Sequence, residues 1–342
     1  GAKIILDVDN DESVHERILL LIGRCADFSA PPSCTTAPSR TIWSAMYTIA
    51  ALYHFTRFAN PAALKPGLLD FCLSHDVKGT LLLAHEGING TIAGPRAGID
   101  AVIEYLQKLP GCGDLDWKEA TSDTPPFPKM KVRIKREIVT MGQPDVDPRA
   151  KVGNYVDPQD WNALIQSDDV AVIDTRNDYE VAIGTFEGAV DPHTKSFGEF
   201  PAWWEQNKHR FHNKRVAMFC TGGIRCEKST NYLLGQGVDN VYHLKGGILK
   251  YLEEVPQDQS AWNGECFVFD ARVSVGHGLA EGPHVLCHGC RQPILPQDMK
   301  RPEYEAGVSC HQCFDKTSEW DKGRFRERQK QIKLAEARTQ VG

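Results

Sequence analysis

The fold is decided at Cys220-Thr221-Gly222-Gly223-Ile224-Arg225-Cys226, a loop preceded by the apolar run at 216–219 and followed by a helix-like segment at 227–234. This order predicts a buried strand, a tight loop and the start of a helix. The backbone N–H groups of such a loop converge at the end of the strand. A group of this kind stabilises an anion.

The expected anion is the thiolate of Cys220, because a helix N-terminus and the nearby charge of Arg225 both lower a thiol pKa. We interpret Cys220 as a nucleophile, and an ordinary buried cysteine beside a turn is the alternative. Arg225 either stabilises the thiolate or binds a phosphate in a bidentate contact. Cys226 either resolves an oxidised or persulfidated Cys220 by disulfide exchange or fills the core. The active-site loop comprises Thr221, Gly222, Gly223 and Ile224.

Motifs on both sides of this loop resemble those of a rhodanese domain. They are Val172-Ile173-Asp174-Thr175-Arg176, Tyr179-Glu180, Gly188-Ala189 and Val241-Tyr242-His243-Leu244-Lys245-Gly246-Gly247. The string from Cys220 to Lys228, with His85-Glu86-Gly87-Ile88-Asn89-Gly90-Thr91 upstream, is similar to one branch of that superfamily, the tRNA uridine hydroxylases. The resemblance covers about residues 53–328. It implies oxygen-dependent 5-hydroxylation of the wobble uridine of tRNA, with molecular oxygen as co-substrate and Cys220 as the family cysteine.

Two other functions stay open at this point. A rhodanese-type sulfurtransferase would use a persulfide of Cys220, and a non-catalytic tRNA-binding module would need no reactive thiol. The sequence contains no flavin fingerprint, iron facial triad or Walker loop, so no organic cofactor is predicted.

The composition is typical of a globular protein, with 41% hydrophobic and 25% charged residues among 342. The net charge of -6 argues against indiscriminate coating of nucleic acid. Eleven cysteines, an odd number with two CxxC pairs, favour metal and redox chemistry over a disulfide framework. We therefore expect a cytoplasmic protein with no membrane role and no obligate protein partner.

The order of predicted elements indicates a multidomain α/β protein. Residues 1–46 are expected to be a poorly ordered extension. Alternating strand and helix signals over 47–142 predict a β-α-β-β-α-β, ferredoxin-like module, which the family resemblance implies is acylphosphatase-like. A linker at 143–151 leads to a rhodanese-like catalytic domain with a parallel sheet at 152–256. Residues 257–342 are predicted to form a metal-binding segment and a basic helix.

One strand of the first module carries a row of cations. Period-two geometry places four of them on one face: Lys129, Lys131, Arg133 and Lys135. This face either contacts tRNA phosphates, which we favour, or is a solvated edge. The predicted hairpin turn contributes His85, Glu86 and Asn89, which we consider as further substrate contacts facing Cys220.

The last segment contains a metal-binding pattern. Two CxxC pairs, Cys287/Cys290 and Cys310/Cys313, are separated by nineteen residues, a spacing typical of four-cysteine zinc ribbons. Free or oxidised thiols, or a ligand set that includes His288 or His311, are the alternatives. The basic end of the chain is either a solvated helix or a tRNA contact, and its cations are Lys322, Arg324, Arg326, Arg328, Lys330 and Lys333.

Overall fold

The computed structural model describes residues 46–340. The predicted extension at 1–46 lies outside the described residues, apart from its last residue. Among the helices of the described chain, none is long and apolar enough to cross a membrane.

The first part of the described chain is a sheet with two helices. Its elements are β1 (Tyr47–Phe55), α1 (Pro61–Ser74), β2 (Lys78–Ala84), β3 (Gly87–Gly94), α2 (Arg96–Gln107), β4 (Trp117–Ser122) and β5 (Met130–Ile134). The sheet order is β4-β1-β3-β2-β5. The first four strands pair antiparallel, as in the predicted ferredoxin-like plan, and β5 joins the edge parallel to β2.

Local sequence signals explain the start of α1. Asn60 caps α1, since its side chain accepts a hydrogen bond from the Ala63 backbone at 3.2 Å, and Pro61 occupies the first helical position. Strand β5 ends at Ile134. The backbone N–H of Ile138 instead donates to Glu86 Oε1 at 2.6 Å, so Ile138 does not extend the ladder.

The second part is a parallel α/β domain. Its elements are β6 (Asn154–Val156), α3 (Pro158–Ile165), β7 (Val170–Asp174), α4 (Asp178–Val181), β8 (Gly184–Phe186), α5 (Phe200–Asn207), β9 (Arg215–Phe219), α6 (Ile224–Gly235), β10 (Val241–Leu244) and α7 (Gly247–Glu254). The sheet order is β6-β10-β9-β7, and all of its pairs are parallel.

Both faces of this parallel sheet are covered. On β9, Val216 and Met218 pack in one core cluster, while Ala217 and Phe219 pack in another. Alternate residues of one strand thus enter two separate cores, which explains why the strand is apolar from Val216 to Phe219. The carboxyl end of β9 delivers Cys220 to the edge where such sheets bind ligands.

The last part contains short strands and one long helix. Its elements are β11 (Trp262–Gly264), β12 (Cys266–Phe267), β13 (Ser274–Val275), β14 (Val285–Leu286), β15 (Pro293–Ile294) and α8 (Glu319–Gln340). Trp262, Cys266 and Val275 belong to a core cluster of the parallel domain. The β12–β13 hairpin is therefore anchored to that domain, whereas the four-cysteine segment has a small core of its own.

One buried lysine joins the first module to the parallel domain. Lys228, on α6, is 1% exposed and lies 2.8 Å from Glu86 Oε1 and 2.6 Å from Glu137 Oε2. It also donates to the Val139 carbonyl at 2.9 Å. Glu86 therefore contributes to the contact between the two modules.

Candidate active site

The first turn of α7 binds the loop that carries Cys220 through backbone hydrogen bonds. The backbone N–H groups of Ile248 and Leu249 donate to the carbonyls of Cys220 and Thr221 at 3.0 and 3.1 Å. Gly247 has φ 68°, and a Cβ there would lie 2.5 Å from the Cys220 carbonyl oxygen. Only glycine allows this close approach of helix to loop.

The sulfur of Cys220 receives a backbone hydrogen bond, as the loop sequence predicted. The N–H of Gly223 donates to Cys220 Sγ at 3.1 Å, and Gly223 has φ 108°. The helix that follows begins at Ile224 rather than at 227. Cys226 thus lies in its first turn, close to the positive end of the helix dipole.

The two cysteines of the loop have opposite shifts in pKa. Burial opposes ionisation of Cys220, but the Cys226 thiol, the Arg225 charge and the Cys226 and Gly223 N–H groups outweigh it and lower the pKa to about 5. The pKa of Cys226 is raised by burial and by the negative charge on Cys220. These shifts favour the thiolate form of Cys220 and the protonated form of Cys226.

Arg225 is fixed by an ion pair. Its terminal nitrogens donate to both carboxylate oxygens of Glu180 at 2.7 and 2.8 Å, and the Glu180 side chain is fully buried. Burial disfavours the charged Glu180, but Arg225 outweighs this and lowers the Glu180 pKa. Because its fork of donors is occupied, Arg225 influences Cys220 through its charge.

A cavity of about 560 Å³ opens in front of Cys220. The first module, the Cys220 loop and the β12–β13 turn all line it. Lys118, on β4, reaches the loop and donates to the Gly222 carbonyl at 3.4 Å. Burial lowers the pKa of Lys118, and the Cys220 charge partly offsets this.

Tyr53 and Glu227 form a hydrogen-bonded pair beside the Cys220 loop. The Tyr53 hydroxyl donates to Glu227 Oε1 at 2.8 Å, and the Tyr155 hydroxyl donates to the same oxygen at 3.1 Å. Burial raises the pKa of Glu227; the two hydroxyls oppose this shift, and the Cys220 charge adds to it. Tyr53 lines the cavity.

Two of the three candidate substrate contacts in the hairpin turn do not line the cavity. Neither His85 nor Glu86 lines the cavity. His85 Nδ1 is 2.9 Å from the Phe58 carbonyl, and Glu86 binds Lys228. Asn89 does line the cavity, and its side chain donates to the Ile138 carbonyl at 2.8 Å.

The predicted cations lie at the β5 edge of the sheet, and only Lys135 among them lines the cavity. Within the described part of the chain, no acidic side chain pairs with Lys129, Lys131, Arg133 or Lys135. Burial and the neighbouring cations Arg133, Lys129 and Arg291 lower the pKa of Lys131. This edge therefore concentrates positive charge.

The four cysteines of the last segment come together. The Sγ atoms of Cys287, Cys290, Cys310 and Cys313 all lie within 4.8 Å of one another. Cys310 Sγ lies 3.8 Å from Cys290 Sγ and 3.9 Å from Cys313 Sγ. Tetrahedral Zn–S bonds of about 2.3 Å place sulfurs about 3.8 Å apart, so the arrangement fits a metal ion.

Three cations of α8 make contacts within the last segment. Arg326 pairs with Glu305 at 2.7 Å, Lys322 Nζ lies 4.0 Å from the centroid of the Phe314 ring, and Arg328 donates to the His288 carbonyl at 2.8 Å. These contacts attach the helix to the four-cysteine segment. They favour a structural role for this part of the basic helix.

Sequence reasoning did not identify Tyr53 or Lys118, and Glu227 was not singled out as an acid. Tyr53 and Glu227 are 174 positions apart in the chain, and Lys118 and Gly222 are 104 apart. Only the packing of the two modules brings them together. No spacing motif within either segment signals this contact.

The fold and the site define the class as a rhodanese-like protein with an N-terminal acylphosphatase-like domain. The UPF0176 acylphosphatase-like domain model matches residues 47–138, and the rhodanese-like domain model matches residues 157–254. The tRNA uridine(34) hydroxylase of Roseobacter denitrificans is 76% identical over 86% of this chain and 100% of that relative. Those of Ruegeria pomeroyi and Agrobacterium fabrum are 80% and 57% identical over 86% and 89% of this chain, each match covering 97% of the relative. The chain belongs to the tRNA uridine(34) hydroxylase family.

Proposed function

We propose that the protein hydroxylates uridine 34 of tRNA in the cavity in front of Cys220. Relatives that carry this name match nearly their whole length at 57–80% identity, and this is the observation that carries the proposal. The lowered pKa of Cys220 supports a thiolate mechanism. The protein would act in the cytoplasm, where it meets its tRNA.

Cys220 serves in this proposal as a nucleophile toward C6 of the uracil ring. A bond forms between its sulfur and C6, and the electron pair of the C5–C6 double bond moves toward C5 and O4. Lys118, one of the cations in the cavity wall, favours this negative charge. Tyr53, which lines the cavity, supplies or accepts a proton near the ring, and Glu227, whose pKa is raised, exchanges that proton with Tyr53 through their hydrogen bond.

The electron-rich C5 then reacts with dioxygen, which we propose as the oxygen donor. Insertion of one oxygen atom at C5 reduces the other atom to water, so the net reaction also consumes two electrons from an external reductant. Expulsion of the Cys220 thiolate from C6 and loss of the C5 proton restore the aromatic base. Cys226 remains the protonated partner of the sulfur throughout.

We infer that zinc occupies the four-cysteine cluster. Four thiolates in tetrahedral reach favour this ion, and a site with four protein ligands is closed. Its role would be to fold the segment that α8 packs against. The unpaired cations of the β5 edge would bind tRNA phosphates: Lys129, Lys131, Arg133 and Lys135.

The test is nucleoside mass spectrometry on tRNA from cells that lack the gene and carry either the wild type or Cys220→Ser. We expect 5-hydroxyuridine at position 34 with the wild type, and with Cys220→Ser no more of it than in cells that lack the gene. The thermal unfolding of the Cys220→Ser variant should match that of the wild type. Sulfur in place of oxygen at the base would identify a sulfurtransferase, and an active Cys220→Ser variant would exclude the nucleophile.

A further inference from the structure

One aromatic side chain that lines the cavity is exposed to solvent. Phe269 is 59% exposed, and among the large exposed hydrophobic residues of positions 46–340 it is the one that lines the cavity. Cys220 lines the same cavity and is itself 0% exposed. An exposed phenyl ring in the wall of the cavity that contains the nucleophile can contact a ligand that enters this cavity.

The turn that presents Phe269 is rigid. The neighbouring residues Asp270 and Arg272 form a buried ion pair at 2.7 Å, with side chains 2% and 8% exposed. The Ala271 N–H donates to the Pro126 carbonyl at 3.2 Å, which attaches the turn to the first module. The turn that carries Phe269 is therefore anchored at two points, which lowers the entropy cost of ordering it when a ligand binds.

Two more aromatic rings define the surroundings of Phe269. Phe267 supports it from the protein side, with centroids 5.1 Å apart and planes at 82°. Phe127, which follows the anchoring Pro126, lines the cavity as well. Because Phe269 remains 59% exposed beside Phe267, it offers ring surface to a flat ligand.

We propose that Phe269 stacks on the uracil of nucleotide 34 after that base has left the anticodon-loop stack, and so binds it for reaction with Cys220. This inference rests on the proposed function. A fully buried sulfur reaches a base only if the base enters the cavity, and about 560 Å³ accommodates a single nucleotide. Aromatic side chains are the usual platform for an unstacked base.

The experiment is a cycle of two changes, one in the protein and one in the RNA. Equilibrium binding is measured for wild type and Phe269→Leu with an anticodon stem-loop that carries uridine 34 and with one that lacks the base at that position. We expect Phe269→Leu to weaken binding of the uridine RNA by about tenfold and to leave the abasic RNA unchanged. Phe269→Tyr, which keeps a stacking ring, should bind like the wild type.

The matched control is Phe314→Leu, the same substitution at an exposed ring that does not line the cavity. It should leave both affinities unchanged. Equal losses for the two RNAs with Phe269→Leu would show that the ring contacts another part of the loop, and no loss for either would remove Phe269 from binding. Both results overturn the proposal while leaving the hydroxylation assay to decide the proposed function.

Discussion

Arg225 holds Glu180 in a bidentate contact, with both terminal nitrogens on both carboxylate oxygens at 2.7 and 2.8 Å. Both charged side chains are buried, and their ion pair offsets the free-energy cost of removing each charge from water. The sequence left open whether Arg225 stabilises the thiolate or grips a phosphate. The geometry favours the first role, because Glu180 occupies both terminal nitrogens and Nη2 also donates to Thr221 Oγ1 at 3.3 Å. Arg225 therefore places a fixed positive charge beside Cys220.

The first prediction concerns the pH dependence of Cys220. With a pKa of about 5, the sulfur is a thiolate above that pH, and its alkylation rate should fall as the pH drops through 5. A free cysteine has a pKa of about 8.5, so its alkylation rate falls as the pH drops through that value. Cys226→Ala removes a donor to the sulfur and should move the midpoint upward by about one to two units. Mass spectrometry of the Cys220 peptide after brief iodoacetamide treatment measures the rate.

The control for this titration is Cys112→Ala, which removes a buried thiol in the core of the first module. Its midpoint for Cys220 should equal that of the wild type. A wild-type midpoint near 8.5 would contradict the low pKa. An unchanged midpoint in Cys226→Ala would show that Cys226 does not stabilise the thiolate.

The predictable parts of this protein are those whose signals are local in sequence. Asn60 and Pro61 predict the start of α1. The apolar runs before Cys220 and at β10 indicate buried parallel strands. The Cys220 loop is equally local, because its donors lie within six positions of the sulfur. Chemistry carried by one short segment can be inferred from that segment.

The parts that sequence reasoning did not find depend on contacts between distant segments. Lys118 lies on β4, before the parallel domain in the chain, and Phe269 lies in the β12–β13 turn, after that domain. Both residues line the cavity. Glu86 was considered a substrate contact, yet it accepts a hydrogen bond from Ile138 and pairs with Lys228. The sequence of the hairpin cannot distinguish these two uses of one carboxylate.

The second prediction concerns removal of the metal. A chelator should release about one zinc ion per chain, because four cysteines form one tetrahedral site. The segment around the site should then become sensitive to protease, since metal binding contributes to its folding. Alkylation of Cys220 should be unchanged, because the β12–β13 hairpin is anchored in the core of the parallel domain. Loss of the Cys220 reaction on chelation would contradict this separation.

The third prediction concerns the cationic edge of the first sheet. Replacing Lys131 and Arg133 together with glutamine should weaken tRNA binding and reduce the slope of log K against log salt by about one to two units. Arg96→Gln is the control, because Arg96 is half-exposed in the same module but already pairs with Glu119 at 2.5 Å. Binding measured over a range of salt concentrations tests this. Equal slopes for the double variant and the wild type would place the phosphates on another surface.

The fourth prediction concerns Lys228, which joins α6 to Glu86 and Glu137. Lys228→Met leaves two carboxylates without their cation, so we expect a loss of about 3 kcal/mol in the free energy of unfolding. Lys208→Met breaks an exposed pair with Glu205 and should cost less than about 1 kcal/mol. Denaturant titration gives both values. Because Glu137 also lines the cavity, hydroxylation should fall in Lys228→Met under conditions where it is still folded. Full activity there would show that the cavity keeps its shape without this contact.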